Sequence, residues 1–313
     1  MRIYDLDGLP PGLLPQLGTF QLSDGDPPQG VEFIRRLRRT SHPSSDYFAV
    51  YAVDDGKLLS RVETLQLPFT GPTGSDVVVG ISDVLTRPDG VGRGLARSLL
   101  DEVHRRERVR GRHWSYLWTR RSWGAHRLYE SMGYKDVFSP PSALGEAGRS
   151  RRRRSDLGYR LTPERSTDGR RLERVLREAT AGRLGFVPRT PGSFRTRIYL
   201  GWRKPESHLL LRRGARTVGF AHLSDDSRWN LSVNEVVVTG SEHQEPMVRC
   251  LEGLAGRRSL TFQGTTFVRD AERFLRARGY QVLAASHSVL MAKALGPRRT
   301  TGADLRTVFA DPR

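Results

Sequence analysis

The sequence predicts an α/β (α+β) fold built as two tandem units, each a mixed β-sheet flanked by helices. Three observations carry this. An apolar strand pattern, Val77–Ile81 and then Val84-Leu85-Thr86, runs into Arg87-Pro88-Asp89-Gly90-Val91-Gly92-Arg93-Gly94-Leu95-Ala96. A helical pattern follows, with Leu95, Leu99 and Val103 on one face. The chain also repeats itself. Ala125-His126-Arg127-Leu128-Tyr129-Glu130-Ser131-Met132-Gly133-Tyr134 recurs as Ala271-Glu272-Arg273-Phe274-Leu275-Arg276-Ala277-Arg278-Gly279-Tyr280, and Ser82-Asp83-Val84-Leu85 recurs as Asn234-Glu235-Val236-Val237. Finally, 313 residues are long for one domain and comfortable for two.

The first copy reads as strand Arg2–Tyr4, helices at Pro11–Leu17 and Gln29–Arg39, and strands Tyr47–Val53, Lys57–Leu67 and Val77–Thr86. Helix Gly92–Arg108, strand His113–Trp118, helix Trp123–Met132 and strand Lys135–Phe138 follow. Ser122 stands where an N-cap belongs and Gly133 where a helix stops. Strand Asp156–Leu161 is expected to close this copy. The second copy reads as helix Asp168–Ala181, then strands His208–Arg212, Thr217–Leu223 and Asn230–Val238. Helix Pro246–Ala255, strand Ser259–Phe262, helix Asp270–Arg278 and strands Gln281–Ala284 and Ser288–Ala294 complete it. The expected boundaries are 1–162, 163–296 and a tail, 297–313. Pro140–Ser155, rich in Pro, Gly, Ser and Arg, reads as a loop.

Composition narrows the class. No apolar run approaches the ~20 residues needed to cross a bilayer, and Met1-Arg2-Ile3-Tyr4-Asp5 lacks a signal-peptide core. The single cysteine, Cys250, excludes an intrachain disulfide and a cysteine-based zinc site. The eight histidines lack metal-type spacing, so no metal is expected, and the expected location is cytoplasmic. The net charge of +18 is uneven: residues 1–86 hold seven Lys/Arg against eleven Asp/Glu, a net −4, so the rest carries +22. A basic half containing the glycine loop suits an anionic ligand, a nucleic acid or an acidic partner. The run Arg149-Ser150-Arg151-Arg152-Arg153-Arg154 reads as a solvated loop or as an anion contact. No aromatic residues interleave it, which disfavours nucleic acid without excluding it.

Strand, glycine loop and helix start together form an anion site. Glycine lets a phosphate approach the backbone, and the unpaired N–H groups of the first helical turn point at it. The loop and the segment 125–134 resemble motifs A and B of the GCN5-related N-acetyltransferases (GNAT). The resemblance is good across residues 45–138 and fainter elsewhere. It implies acyl-CoA N-acyltransferase-like domains with a splayed sheet, and acetyl-CoA as co-substrate. By resemblance, Val91, Gly92, Arg93, Gly94, Leu95 and Ala96 would hold the pyrophosphate, and the backbone of Val84, Leu85 and Thr86 the pantetheine arm. Val91 departs from the Gln or Arg of the family pattern, and Arg87 or Arg93 is a candidate replacement charge.

Tyr129 takes the position of the family's general acid, which protonates the departing thiolate. On residues alone it reads equally as a packing residue with Ala125, Leu128 and Met132. Asp83 is the candidate base or amine anchor; alternation would place it on one face with Ile81 and Leu85, and it reads equally as a surface carboxylate. Glu63 is the weaker alternative. The second copy has Gln244 and Pro246 in place of Gly92 and Gly94, and Leu275 in place of Tyr129. It therefore reads as a degenerate copy. The implied reaction is transfer of acetyl from acetyl-CoA to a primary amine, a small cation or a protein amine, by a monomer or homodimer. The alternatives are a non-catalytic acyl-CoA-binding module and an RNA-binding protein.

Overall fold

The computed structural model describes residues 1–20, 48–71, 74–146, 158–167, 169–181, 204–263, 266–267, 271–283 and 287–296. The expected helix Gln29–Arg39, the arginine run 149–154 and the tail after Gly296 lie outside these residues.

The first unit is one mixed sheet. Its strands are β1 (Arg2–Asp5), β2 (Phe48–Asp54), β3 (Lys57–Gly71), β4 (Gly74–Thr86), β5 (Trp114–Arg120) and β6 (Lys135–Phe138). Helices α1 (Leu14–Phe20), α2 (Leu95–Val109) and α3 (Gly124–Ser131) flank it. The strands β1 to β4 form an antiparallel meander, and β4 then pairs in parallel with β5. Leu95, Leu99, Leu100 and Val103 repeat at helical spacing along α2. They are buried against Val50, Ala52, Val62, Val79 and Ile81 of the sheet, with Tyr129 and Met132 of α3.

The second unit holds β7 (Ser142–Gly145), β8 (Tyr159–Pro163), α4 (Arg170–Thr180), β9 (His208–Arg213), β10 (Arg216–Asp226) and β11 (Asn230–Val238). It continues with α5 (Gln244–Ala255), β12 (Ser259–Phe262), β13 (Thr266–Phe267), α6 (Ala271–Ala277) and β14 (Gln281–Leu283). The sheet runs β14-β7-β12-β11-β10-β9-β8, with β13 also beside β11. Helix α5 buries Met247, Val248 and Leu251 in one cluster, and α4 buries Leu172, Val175 and Leu176 with Leu210, Phe220 and Val237 in another.

Sheet membership corrects the expected division. The last strand, β15 (Ser288–Ala294), was assigned to the second copy but lies in the first sheet, between β5 and β6. The strand expected to close the first copy, observed at Tyr159–Pro163, is the edge of the second sheet, antiparallel to β9. The stretch expected as a loop contributes β7, which pairs with β12 and β14. The units therefore divide at Phe138/Ser139 and Ser288/Val289 rather than at 162/163. Period-two apolarity marks a strand, but the neighbour it joins depends on chain distant in sequence.

The repeated Gly-Tyr endings share one local geometry. Gly133 has φ +89, its N–H donates to the Glu130 carbonyl, and the Tyr134 N–H donates to that of Tyr129. Gly279 has φ +79, with the same pair of bonds, Gly279 to Arg276 and Tyr280 to Leu275. Both are Schellman stops, which need a left-handed residue after the helix. The expected cap Ser122 is not used: Trp123 occupies the N-cap of α3 without a side-chain bond.

Candidate acyl-transfer site

The site is built where β4 ends. A short turn, Pro88–Gly90, brings the chain off the strand. Gly90 is buried there, and a Cβ on it would lie 3.0 Å from Leu95 Cδ1 and 3.2 Å from Thr86 Cγ2, so any side chain would push the loop off the sheet. Gly92 and Gly94 have φ of +79 and +73, and a Cβ on either would meet open space. Their demand is conformational, and it turns the backbone into the start of α2.

Gly94 is the N-cap of α2 and offers no side-chain cap. The N–H groups of Gly92, Gly94, Leu95 and Ala96 make no hydrogen bond to a described residue, whereas that of Ser98 donates to the Gly94 carbonyl at 3.0 Å. The loop thus offers a set of unpaired donors at the positive end of a fifteen-residue helix. Val91 stands out from it at 68% exposed. Of the two candidate replacement charges, Arg93 pairs with Asp54, and Arg87 pairs with Asp89 at 3.3 Å. The N-terminal ammonium, 2.8 Å from Asp54, and Arg93 together hold that carboxyl below the usual range.

The expected alternation along β4 is broken. Ser82 pairs with Glu63 and Leu85 with Arg61, so Asp83 and Val84 together oppose Val62. This is a β-bulge. Ile81 and Val84 both pack into the cluster beneath α2, a spacing that no unbroken strand produces. Asp83 takes φ +43 and is exposed, so it does not share a buried face with Ile81 and Leu85. Aspartate is among the few residues that tolerate this conformation.

The bulge also marks where the strands part. The β4–β5 pairing runs from Val79–Ser115 to Ile81–Leu117 and stops, although β5 continues to Arg120. Residues 82–86 of β4 thus have no described strand beside them on that edge. The predicted arm-binding residues Val84, Leu85 and Thr86 lie there. On the β3 side, Ser60 Oγ donates to the Leu85 carbonyl at 2.8 Å and accepts from Thr86 Oγ1 at 2.8 Å.

Tyr129 belongs to the same buried cluster as Leu95 and Val84. Its ring is 6% exposed and meets Tyr134 edge-on at 5.8 Å. Its hydroxyl makes no hydrogen bond to a described residue and, unlike that of Tyr51, is not sealed from solvent. Burial pushes its phenol up to about 12. A neutral phenol with an unengaged hydroxyl can donate a proton at any physiological pH.

Two features of this face carried no sequence signal. Arg61, 1% exposed, lies between Glu63 and Asp83, at 3.2 Å and 3.1 Å. Trp118, the first β5 residue after the parting, is 50% exposed and edge-on to Phe138 at 6.3 Å. An arginine inside an apolar strand and a tryptophan at a strand end both have ordinary explanations, and only strand pairing places them beside the bulge.

The second unit repeats this frame with different contents. Its strand β11 is also irregular: Val233 pairs with Leu223 and Glu235 with His222, leaving Asn234 as the extra residue, one before the expected match to Asp83. Beyond it, Val236 and Val237 pair with Thr266 and Phe267 of β13. The edge left open on β4 is therefore taken on β11 by the chain's own strand. Gln244 and Pro246 are buried at the start of α5.

A parallel strand pair opened beyond a bulge, with helix-start amides at the opening, offers an edge that an extended anionic ligand could join as an added strand. The chain carries a domain of the GCN5-related N-acetyltransferase family: residues 19–137 match the family model described as "Acetyltransferase (GNAT) domain". The fold of the chain is that of two GNAT-like units in tandem, the first of which holds most of the matched residues. Among solved structures, it is similar to a conserved Enterococcus faecalis V583 protein described as "Probable N-Acyltransferase" (TM-score 0.71, 13% identity, 94% of this chain and 72% of that one). It is also similar to Eis1 from Mycobacterium abscessus (0.65, 16%, 94% and 74%). A further match is the tandem GNAT protein from the clavulanic acid biosynthesis pathway (0.55, 14%, 95% and 100%). At these identities the likeness is one of fold. Among curated proteins no match to the sequence is found. Among the described residues no helix is long and apolar enough to cross a membrane.

Proposed function

We propose that the first unit transfers an acetyl group from acetyl-CoA to a primary amine, with Tyr129 as general acid. The observation that carries this is the open β4 edge running into the unpaired amides of Gly92, Gly94, Leu95 and Ala96. The residues present fit the group. The glycines leave open space for phosphate, and the amides of Gly92, Gly94, Leu95 and Ala96 would hold the pyrophosphate. The backbone of Val84, Leu85 and Thr86 would hold the pantetheine arm. Bound there, acetyl-CoA supplies an activated thioester carbonyl.

The chain's own residues do the rest. Tyr129 holds its proton until a thiolate needs it, because a phenol titrating near 12 stays neutral beforehand. Asp83 offers an exposed carboxylate at the bulge, suited to hold or deprotonate an ammonium. The acidic balance of residues 1–86 favours a cationic acceptor. The second unit, on this reading, binds no acyl-CoA, because β13 occupies the matching edge and Pro246 removes an amide donor.

Calorimetric titration of acetyl-CoA, followed by an acetyl-transfer screen of a polyamine, an aminoglycoside and a lysine peptide, tests the reading. Micromolar binding with transfer to one class is the expected result. Binding without transfer would favour a sensing module, and no binding would overturn the reading.

A further inference from the structure

The apolar sheet face opposite α2 holds one charge cluster. Arg61 sits on β3 between Val62, which faces α2, and Ser60. Its guanidinium is 1% exposed and stands 5.8 Å from the Phe20 ring. Placing a cation there costs several kcal/mol unless opposing charge is supplied. Two carboxylates supply it: Glu63, buried, at 3.2 Å from Nη1, and Asp83, half-exposed, at 3.1 Å from Nη2. Arg61 and Glu63 are inside, whereas Asp83 reaches solvent.

The geometry of Asp83 makes this more than a surface ion pair. It sits on the bulge with φ +43, in a conformation that side chains rarely adopt. Arg61 engages its Oδ2, and Oδ1 makes no bond to a described residue, on a side chain 45% exposed. The bulge lies immediately past Ile81–Leu117, the last pair before β4 and β5 part. One buried guanidinium therefore fixes the aim of a carboxylate that stands beside the open strand edge.

We propose that Arg61 is a positioning residue for the acceptor: paired with Glu63, it pins Asp83 at the bulge so that its other carboxylate oxygen anchors a protonated amine. This rests on the amine-acetyltransferase reading above. The acceptor class it selects is a cation that keeps a charged nitrogen at Asp83, as a polyamine or aminoglycoside does while a second amine reacts.

The test compares wild type with Arg61→Met/Glu63→Gln, which removes one buried charge of each sign and so keeps the interior balanced, and with Arg61→Lys. Acetyl-CoA affinity is read by calorimetry. Steady-state kinetics are read with the best cationic acceptor from the screen and with aniline, which is uncharged at neutral pH. The double variant should raise KM for the cationic acceptor about tenfold or more, with kcat, acetyl-CoA affinity and aniline KM each within about threefold. Arg61→Lys should recover most of the KM. Equal KM changes for both acceptors, or a collapse of acetyl-CoA affinity, would overturn the proposal, because the pair would then support the fold or the cofactor edge. If wild type binds acetyl-CoA but acetylates aniline alone, the anchor fails while the acetyltransferase reading stands. If wild type binds no acetyl-CoA, both fall.

Discussion

The two units share one frame, and the contrast between them lies at two positions along it. In the first unit the strand before the helix is irregular at Asp83 and then runs on with an open edge into left-handed Gly92 and Gly94. In the second unit the strand is irregular at Asn234, but its edge is covered by β13, and the helix begins with buried Gln244 and Pro246. Both units then stop a later helix with Gly-Tyr in the same Schellman geometry. A fold is thus retained by its stops and core, whereas a site needs an unpaired edge and free donors. Losing either leaves the architecture intact.

The tyrosines after those stops show a second contrast. Tyr134 is held by neutral partners, Ser115 Oγ at 2.6 Å and His104 Nε2 at 2.8 Å. Tyr280 donates to Glu252 at 3.0 Å, and Glu252 pairs with Arg278 at 2.7 Å. Burial, then Lys293 and Arg108, push His104 down to about 3. One unit ties its last helix with a histidine that must stay uncharged, the other with an ion pair.

The sharpest way to break the first contrast is to make the first loop resemble the second. Gly94→Pro fixes φ near −65° where +73 is needed and deletes an amide donor. Acetyl-CoA affinity should fall at least ~100-fold by calorimetry. The wild-type stoichiometry should be one per chain, and Pro246→Gly should leave it at one, because β13 still covers β11. A second site in that variant would show that the proline alone closed it.

Next in size, Tyr129→Phe should lower kcat by roughly 10²-fold with acetyl-CoA affinity unchanged. The wild-type kcat should show no alkaline loss from this group until the pH nears 12, since the acid form persists below its raised pKa. An alkaline limb centred near pH 9 would assign the proton to another residue.

The histidine tie predicts an acid weakness of the first unit. His104 binds a proton in the unfolded chain below about 6.5 but in the folded chain only near 3. Stability from this group is therefore complete above pH 6.5 and is lost as pH falls from there toward 3. The loss is on the order of a few kcal/mol. Thermal melts across that range should flatten in His104→Gln, and an unchanged slope would show that other groups govern acid unfolding.

The smallest effect is expected at Val91. The side chain is exposed, and the amide donates to the Pro88 carbonyl at 3.3 Å. Val91→Gln should tighten acetyl-CoA by about three- to tenfold, the worth of one neutral hydrogen bond. No change would show that backbone donors saturate the site.

Much of the site was legible along the chain, but only where its logic is local. Gly92 and Gly94 read as a loop because glycine alone takes their φ cheaply, and Gly133 and Gly279 read as stops for the same reason. Tyr129 was marked as an acid only by the resemblance of 125–134 to the family's motif, since its helical spacing reads equally as packing with Ala125, Leu128 and Met132. The face of Asp83 was misread: alternation assumes an unbroken strand, and a bulge depends on the partner strand. Arg61 carried no signal, because its partners come from β3 and β4 and its worth lies in burial.

The sequence by itself determined two α/β units, the helix beginning at the glycine loop, and the paired Gly-Tyr stops. Each of these rests on backbone preferences that a few neighbouring residues set. Only the tertiary structure decided that β15 completes the first sheet and that β7 and β8 belong to the second. It also decided that the edge open beside Val84 is closed beside Val236. Hydrogen bonding between strands is indifferent to their distance in sequence, so which edge stays free is a property of the whole sheet.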